Sequence, residues 1–199
     1  MQKLLRYGNH KLPKTTAIFN LNSAKDCPAA KLNLCAVINK GIPCYARKTE
    51  KCRSMGYDMV VKYRRRQEKY WDKHSAVDIA EKIINILQNK RVKVDKFRFN
   101  ESGDFKTQKD VRKMSVIAKK LKDAMNITSY GYTSRSDLDF TKAQFLVKGS
   151  EHTKGNNGRV QILEKGESVP KGYYLCPGSC KKCNMCATNN KRNIAIRRH

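Results

Sequence analysis

Hydrophobic positions recur along this chain with two different periods, and the alternation between them outlines a fold. In "SAVDIAEKIINILQ" the apolar residues Val77, Ile79, Ala80, Ile83, Ile84 and Leu87 fall three and four apart, which predicts an amphipathic helix with a wide core-facing stripe. "YDMVVKYRRRQEKYW" and "QKDVRKMSVIAKKLKDA" carry the same spacing. Shorter segments alternate instead. "TTAIFNL" (Thr15 to Leu21), "VDKFRFN", "ITSYGYT" and "QFLVKG" read as strands, rich in β-branched and aromatic residues. "SRSDLDFTKA" reads as a further short helix, "GRVQILEKGESVPKGYYLC" as an antiparallel hairpin, and the segment from Lys191 to His199 as a mobile basic tail.

Strand and helix in series predict an α/β fold: a mostly parallel sheet with flanking helices, as an open sheet or a partial TIM-like barrel. At 199 residues the chain suits a single domain, 1–199. Within it we expect a Cys-bearing loop region at 27–52, an α/β core at 53–175, and a Cys cluster with a basic tail at 176–199. Both Cys-rich ends are expected to form metal-binding loops.

Charge narrows the choice of partner. Lys and Arg number 43 against 17 Asp and Glu, a net charge of +26. Solubility in a small domain asks for a magnitude of only about 2–8, so nucleic acid is the expected partner. "KYRRRQEKYW" interleaves Arg64, Arg65 and Arg66 with Tyr63, Tyr70 and Trp71, and cations that pair with phosphate beside rings that stack on bases suit that role. Lys181, Lys182, Arg197 and Arg198 add charge around the last cysteines. No apolar run is long enough for a membrane span, and the first residues lack the features of a secretory signal, so no membrane association and a cytoplasmic location are expected.

In a reducing compartment, clustered thiols point to metal rather than disulfides. Cys176, Cys180, Cys183 and Cys186 read C-x3-C-x2-C-x2-C, four soft ligands in eleven residues. Structural zinc usually takes two Cys pairs separated by a dozen or more residues, whereas an iron–sulfur cluster spreads its irons so that one turn can supply several ligands. A [4Fe-4S] cluster is therefore expected, with zinc as the alternative. Cys27, Cys35 and Cys44 form a looser set that could hold a second cluster or share the first, and Cys52 reads equally well as a packed thiol.

"GNHKLPKTTAIFNL", "CPAAKLNLC", "CYARKTE", "RFNESGDF", "YGYTSR" and the terminal "CPGSCKKCNMC", in that order, resemble the bacteriophage gene product 88 family. The resemblance implies a phage origin, hence the cytoplasm of an infected host cell, and places Cys27, Cys35, Cys44, Cys176, Cys180, Cys183 and Cys186 inside its motifs. It brings no settled activity. A second likeness is to radical S-adenosylmethionine enzymes, through "CYA" at Cys44 and the C-x3-C-x2-C of Cys176, Cys180 and Cys183. It implies S-adenosylmethionine as a cofactor, although the spacing stands at the wrong end of the chain and Lys182 replaces the usual aromatic.

Polar groups cluster where strands end, the customary site of chemistry in α/β proteins. Glu101 and Asp104 are the candidate acid–base pair, and Asn100, Ser102, Ser134 and Arg135 are candidate cofactor contacts. The plain alternative is that these residues cap the following helices. His152 follows a later strand and could carry a proton. Two functions are thus weighed: an iron–sulfur enzyme acting on nucleic acid or nucleotides, and a non-catalytic nucleic-acid-binding protein with structural iron–sulfur or zinc sites.

Overall fold

A computed structural model describes residues 4–51, 57–181 and 183–198. Eight strands form one open sheet: β1 (Arg6–Tyr7), β2 (Thr16–Phe19), β3 (Lys96–Phe99), β4 (Thr128–Thr133), β5 (Leu146–Ser150), β6 (Arg159–Leu163), β7 (Tyr173–Leu175) and β8 (Asn193–Arg197). Their order across the sheet is β1-β2-β3-β4-β5-β6-β8-β7, and every pairing except the antiparallel β1–β2 is parallel. The expected mostly parallel α/β architecture is present, as an open sheet.

Three short helices, α1 (Pro28–Lys31), α2 (Ala36–Asn39) and α3 (Tyr45–Glu50), occupy the first Cys-bearing region. Two long ones, α4 (Tyr57–Lys73) and α5 (Ala76–Gln88), connect β2 to β3, and α6 (Gln108–Met125) connects β3 to β4. Each boundary has a local cause. Ser75 and Asp78 form a reciprocal cap on α5, Thr107 and Asp110 do the same for α6, and Asn126 in the left-handed region stops α6.

Strand alternation divides the sheet into two unlike faces. Ala17, Phe19, Phe97, Phe99 and Val147 point to the helices and share one core with Trp71, Ile79, Ile83, Met114 and Leu121. Gly131 is needed there, because a Cβ on it would stand 2.3 Å from the Phe99 ring. The opposite parity carries Ile18, Arg98, Tyr130, Tyr132, Leu146 and Lys148, in register across β2 to β5.

Three expectations are corrected. "SRSDLDFTKA" forms turns rather than a helix: Asp104 takes the Ser134 N–H, and the Arg135 guanidinium binds both Asp137 and the Phe105 and Lys106 carbonyls. β6 and β7 form no hairpin, because β8 lies between them and pairs in parallel with both. The basic tail is not loose: Ile194 and Ala195 are buried in that inserted strand.

Candidate functional site

The last four cysteines lie on the helix-free face. Cys176 directly follows β7, where its N–H donates to the Ala195 carbonyl of β8 at 2.8 Å. Cys180 N–H donates to the Lys11 carbonyl at 3.0 Å, tying the middle of the loop to the segment between β1 and β2. Cys186 sits in a single 3-10 turn, Met185–Ala187, that packs on β4 and β5. Its sulfur lies near the Tyr132 hydroxyl. Burial and the neighbouring Cys186, Cys176 and Cys183 push the Cys180 thiol up to about 11, while Arg98 opposes them. Burial likewise raises Cys186, against Tyr132, Lys148 and Arg98.

Under this loop lie two buried cations. Arg98 is 8% exposed and stacks on Tyr132, 4.0 Å from the ring centre, and on Tyr130 at 5.5 Å. One of its amino groups, Nη2, donates to the Asn100 carbonyl at 3.3 Å, but Nη1 is buried without an acceptor among the described residues. Lys148 is 1% exposed and donates to the Asn157 and Arg192 carbonyls at 2.5 and 2.7 Å. Neither forms an ion pair among the described residues.

The earlier thiols stand elsewhere. Cys27, Cys35 and Cys44 are the residues immediately before α1, α2 and α3. Cys27 lies near Cys35 and Asp104, and burial together with the Asp104 charge pushes its thiol up to about 12. Cys35 lies 4.0 Å from the Ser134 hydroxyl. Cys44 lines a separate cleft of about 410 Å³ with Arg47, Lys48 and Lys51. Among the described residues no three His, Cys, Asp or Glu side chains converge closely enough to hold a metal ion. The terminal thiols fit a thiolate-ligated centre by donor type and neighbourhood, and would have to close further around one. Cys52 and Lys182 lie outside the described residues.

The polar groups at the strand ends are largely spent on each other. Asp104 is 3% exposed and accepts from the Thr133 hydroxyl at 2.8 Å and from the Phe105 and Ser134 N–H groups at 2.9 and 2.7 Å. Burial outweighs those donors and raises its carboxyl to about 6. Asn22 brackets the same residue, accepting its N–H and donating to its carbonyl, at a site where Gly103 has φ +77° and no room for a Cβ. Asn20 accepts from Ser102 N–H, and Asn100 Oδ1 from Leu21 N–H. Asn100 Nδ2 is buried without a partner among the described residues. Glu101 is held by Asn9 at 2.6 Å and lies 3.8 Å from Arg64, at the edge of a cleft of about 150 Å³ lined by Arg6, Tyr63 and Arg64. His152 is exposed, away from these groups' hydrogen bonds.

The basic residues divide by burial. Arg64 is 2% exposed and pairs with Glu50 at 2.8 Å, so its guanidinium is not presented to a phosphate at the surface. Arg65 is exposed but pairs with Asp26 at 2.7 Å. Arg66, Lys181 and Arg197 are exposed, while Arg198 is exposed and pairs with Glu164.

Arg98, Tyr132 and Lys148 were not among the site residues expected from sequence. Their signal was the charged position between Phe97 and Phe99, and the matching parity of Tyr130, Tyr132 and Lys148. Alternation marks the opposite face of a strand, but it does not say what covers that face. Among the described residues no helix is long and apolar enough to cross a membrane.

No curated protein and no solved structure matches the chain. The profile of the gene product 88 family matches residues 2–144, covering Cys27, Cys35, Cys44 and the strand-end polar groups but not the four terminal cysteines. With most of its length so matched, the chain belongs to the gene product 88 family of bacteriophage proteins.

Proposed function

We propose that this is an iron–sulfur protein that associates with nucleic acid, its cluster held by Cys176, Cys180, Cys183 and Cys186 against the helix-free face of the sheet. One observation carries the reading. The four thiols share one loop, fixed by β7 before it and β8 after it, with the turn of Cys186 packed on β4 and β5. A bound [4Fe-4S] cluster would supply electron transfer or reductive chemistry. The residues around it hold the loop on the sheet and supply the local field. The excess of positive charge supports a polyanionic partner.

Iron, sulfide and zinc content of protein purified without oxygen, with its absorption spectrum, tests this. About four irons per chain fits the terminal set, and about eight adds a second cluster at the earlier thiols. Alanine at Cys180 or Cys183 should abolish binding, and unchanged iron in both variants refutes the assignment. The likeness to radical S-adenosylmethionine enzymes adds that compound as a ligand of an open iron. A changed paramagnetic resonance signal on its addition to the reduced sample would support this, and an unchanged one would remove it.

A second reading follows from the saturation of Asp104 and Glu101 by internal partners. Groups so occupied suit a non-catalytic nucleic-acid-binding protein stapled by zinc or by a structural cluster. Zinc without iron in the same analysis would favour it.

A further inference from the structure

The charge balance of the helix-free face points to a specific role for Arg98. Resting on the metal reading above, we infer that Arg98 and Lys148 are the built-in counter-charge of a thiolate-bound metal centre, and that Arg98 Nη1 donates a hydrogen bond to one of its sulfurs.

Two cations in one buried patch, with no carboxylate paired to either, are costly as they stand. Lys148 recovers part of that cost through two backbone carbonyls. Arg98 has one carbonyl and two aromatic faces, and Nη1 has nothing among the described residues. An arginine placed only for packing would be expected to turn its fork toward a carboxylate, and Arg98 pairs with none among the described residues. What this face offers is thiols. Tyr132 lies under the guanidinium, the turn that carries Cys186 packs on the strands of Tyr132 and Lys148, and those two residues are in register.

The stoichiometry agrees. Four thiolates around a divalent zinc, or around an oxidised [4Fe-4S] core, leave a net charge of about −2. Arg98 and Lys148 supply the matching two positive charges. Hydrogen bonds to sulfur and nearby cations are recognised means by which a protein sets a cluster's potential. Reduction makes the cluster more negative, so a neighbouring cation favours the reduced form, and its loss must favour the oxidised one.

The test compares wild type with Arg98→Gln and Arg98→Lys, all purified without oxygen. Metal per chain, circular dichroism and the midpoint of a reductive titration are measured. Arg98→Gln should retain iron but shift the reduction equilibrium about tenfold toward the oxidised form, ~59 mV for one electron. Arg98→Lys, which keeps the charge and loses the fork, should shift less. If the metal is zinc, Arg98→Gln should weaken it about tenfold in competition with a chelator. A folded, loaded Arg98→Gln protein whose equilibrium moves less than twofold overturns the inference while leaving the metal reading intact. Should that variant fail to fold, a movement below twofold in Arg98→Lys overturns the hydrogen bond. Wild type without metal fails the metal reading itself, and the counter-charge role falls with it.

Discussion

Arg64 and Glu50 fasten the first Cys-bearing region to the end of the sheet, and separating them should cost more than any surface pair. Both are almost fully buried, with N···O at 2.8 Å. Glu50 also accepts from the Ala24 and Lys25 N–H groups at 2.7 and 3.2 Å, so it holds the turn after β2 as well as α4. Arg64→Met leaves a buried carboxylate that keeps those two backbone donors, and should cost about 3 kcal/mol. Glu50→Gln leaves a guanidinium with the Ala46 carbonyl at 3.2 Å and Glu101 at 3.8 Å, and should cost about 3–5 kcal/mol. In a chain of this size each kcal/mol moves the midpoint by roughly 2–4 °C. Because the cost lies in stranding one charge, the double variant should lose no more than the worse single one. Urea unfolding of the four proteins gives the cycle. Single losses below about 1 kcal/mol, or a double variant equal to the sum of the singles, would refute the reasoning.

The pair also separates fold from binding: exposed Arg66→Ala and Lys181→Ala should each reduce the slope of log affinity against log salt for single-stranded DNA by about one, while Arg64→Met leaves it unchanged. An equal loss for Arg64→Met would return that residue to the binding surface. Asp104 makes stability depend on pH in an unusual direction. Its carboxyl is raised from 3.8 to about 6, so between those values the folded state holds a proton that the unfolded chain has released. Stability relative to Asp104→Asn should therefore fall by about 2 kcal/mol as pH rises from 4 to 6, and level off above about pH 7. A difference that is flat or rises over that window would show that the three donors outweigh burial. Gly131→Ala should destabilise by about 1–3 kcal/mol through its clash with Phe99, and Phe99→Leu in the same chain should recover part of the loss in thermal melting. No recovery would place the strain elsewhere.

The parts of this fold that sequence makes legible are those where local pattern and tertiary environment agree. The stripe of α5 and the alternation of "VDKFRFN" face the same core, so period alone finds both. β8 is harder to read, because "NIAIRR" has only three apolar residues and its partners are parallel strands distant in sequence. Nothing local distinguishes it from a basic tail. Arg64 sits in a run of three arginines whose sequence context is uniform, and only the third dimension assigns it to Glu50 and leaves Arg66 to solvent. In the candidate site, that the terminal thiols share one short loop was legible from spacing, since four cysteines within eleven residues leave no room for an element between them. The counter-charges Arg98 and Lys148 were not, since they come from two strands brought into one patch by the sheet.

The position of β8 also sets an order of events during synthesis. β6 and β7 are made first but do not pair with each other, and the strand that joins them is made after both. Until β8 emerges, two strand edges stand open on a strongly basic nascent chain, inviting pairing with a neighbouring copy. β7 has no sheet partner until β8 arrives, so the strands at both ends of the thiol loop are unpaired during that interval. A chain stopped short of β8 would therefore leave both edges of the sheet unjoined and the thiol loop untied.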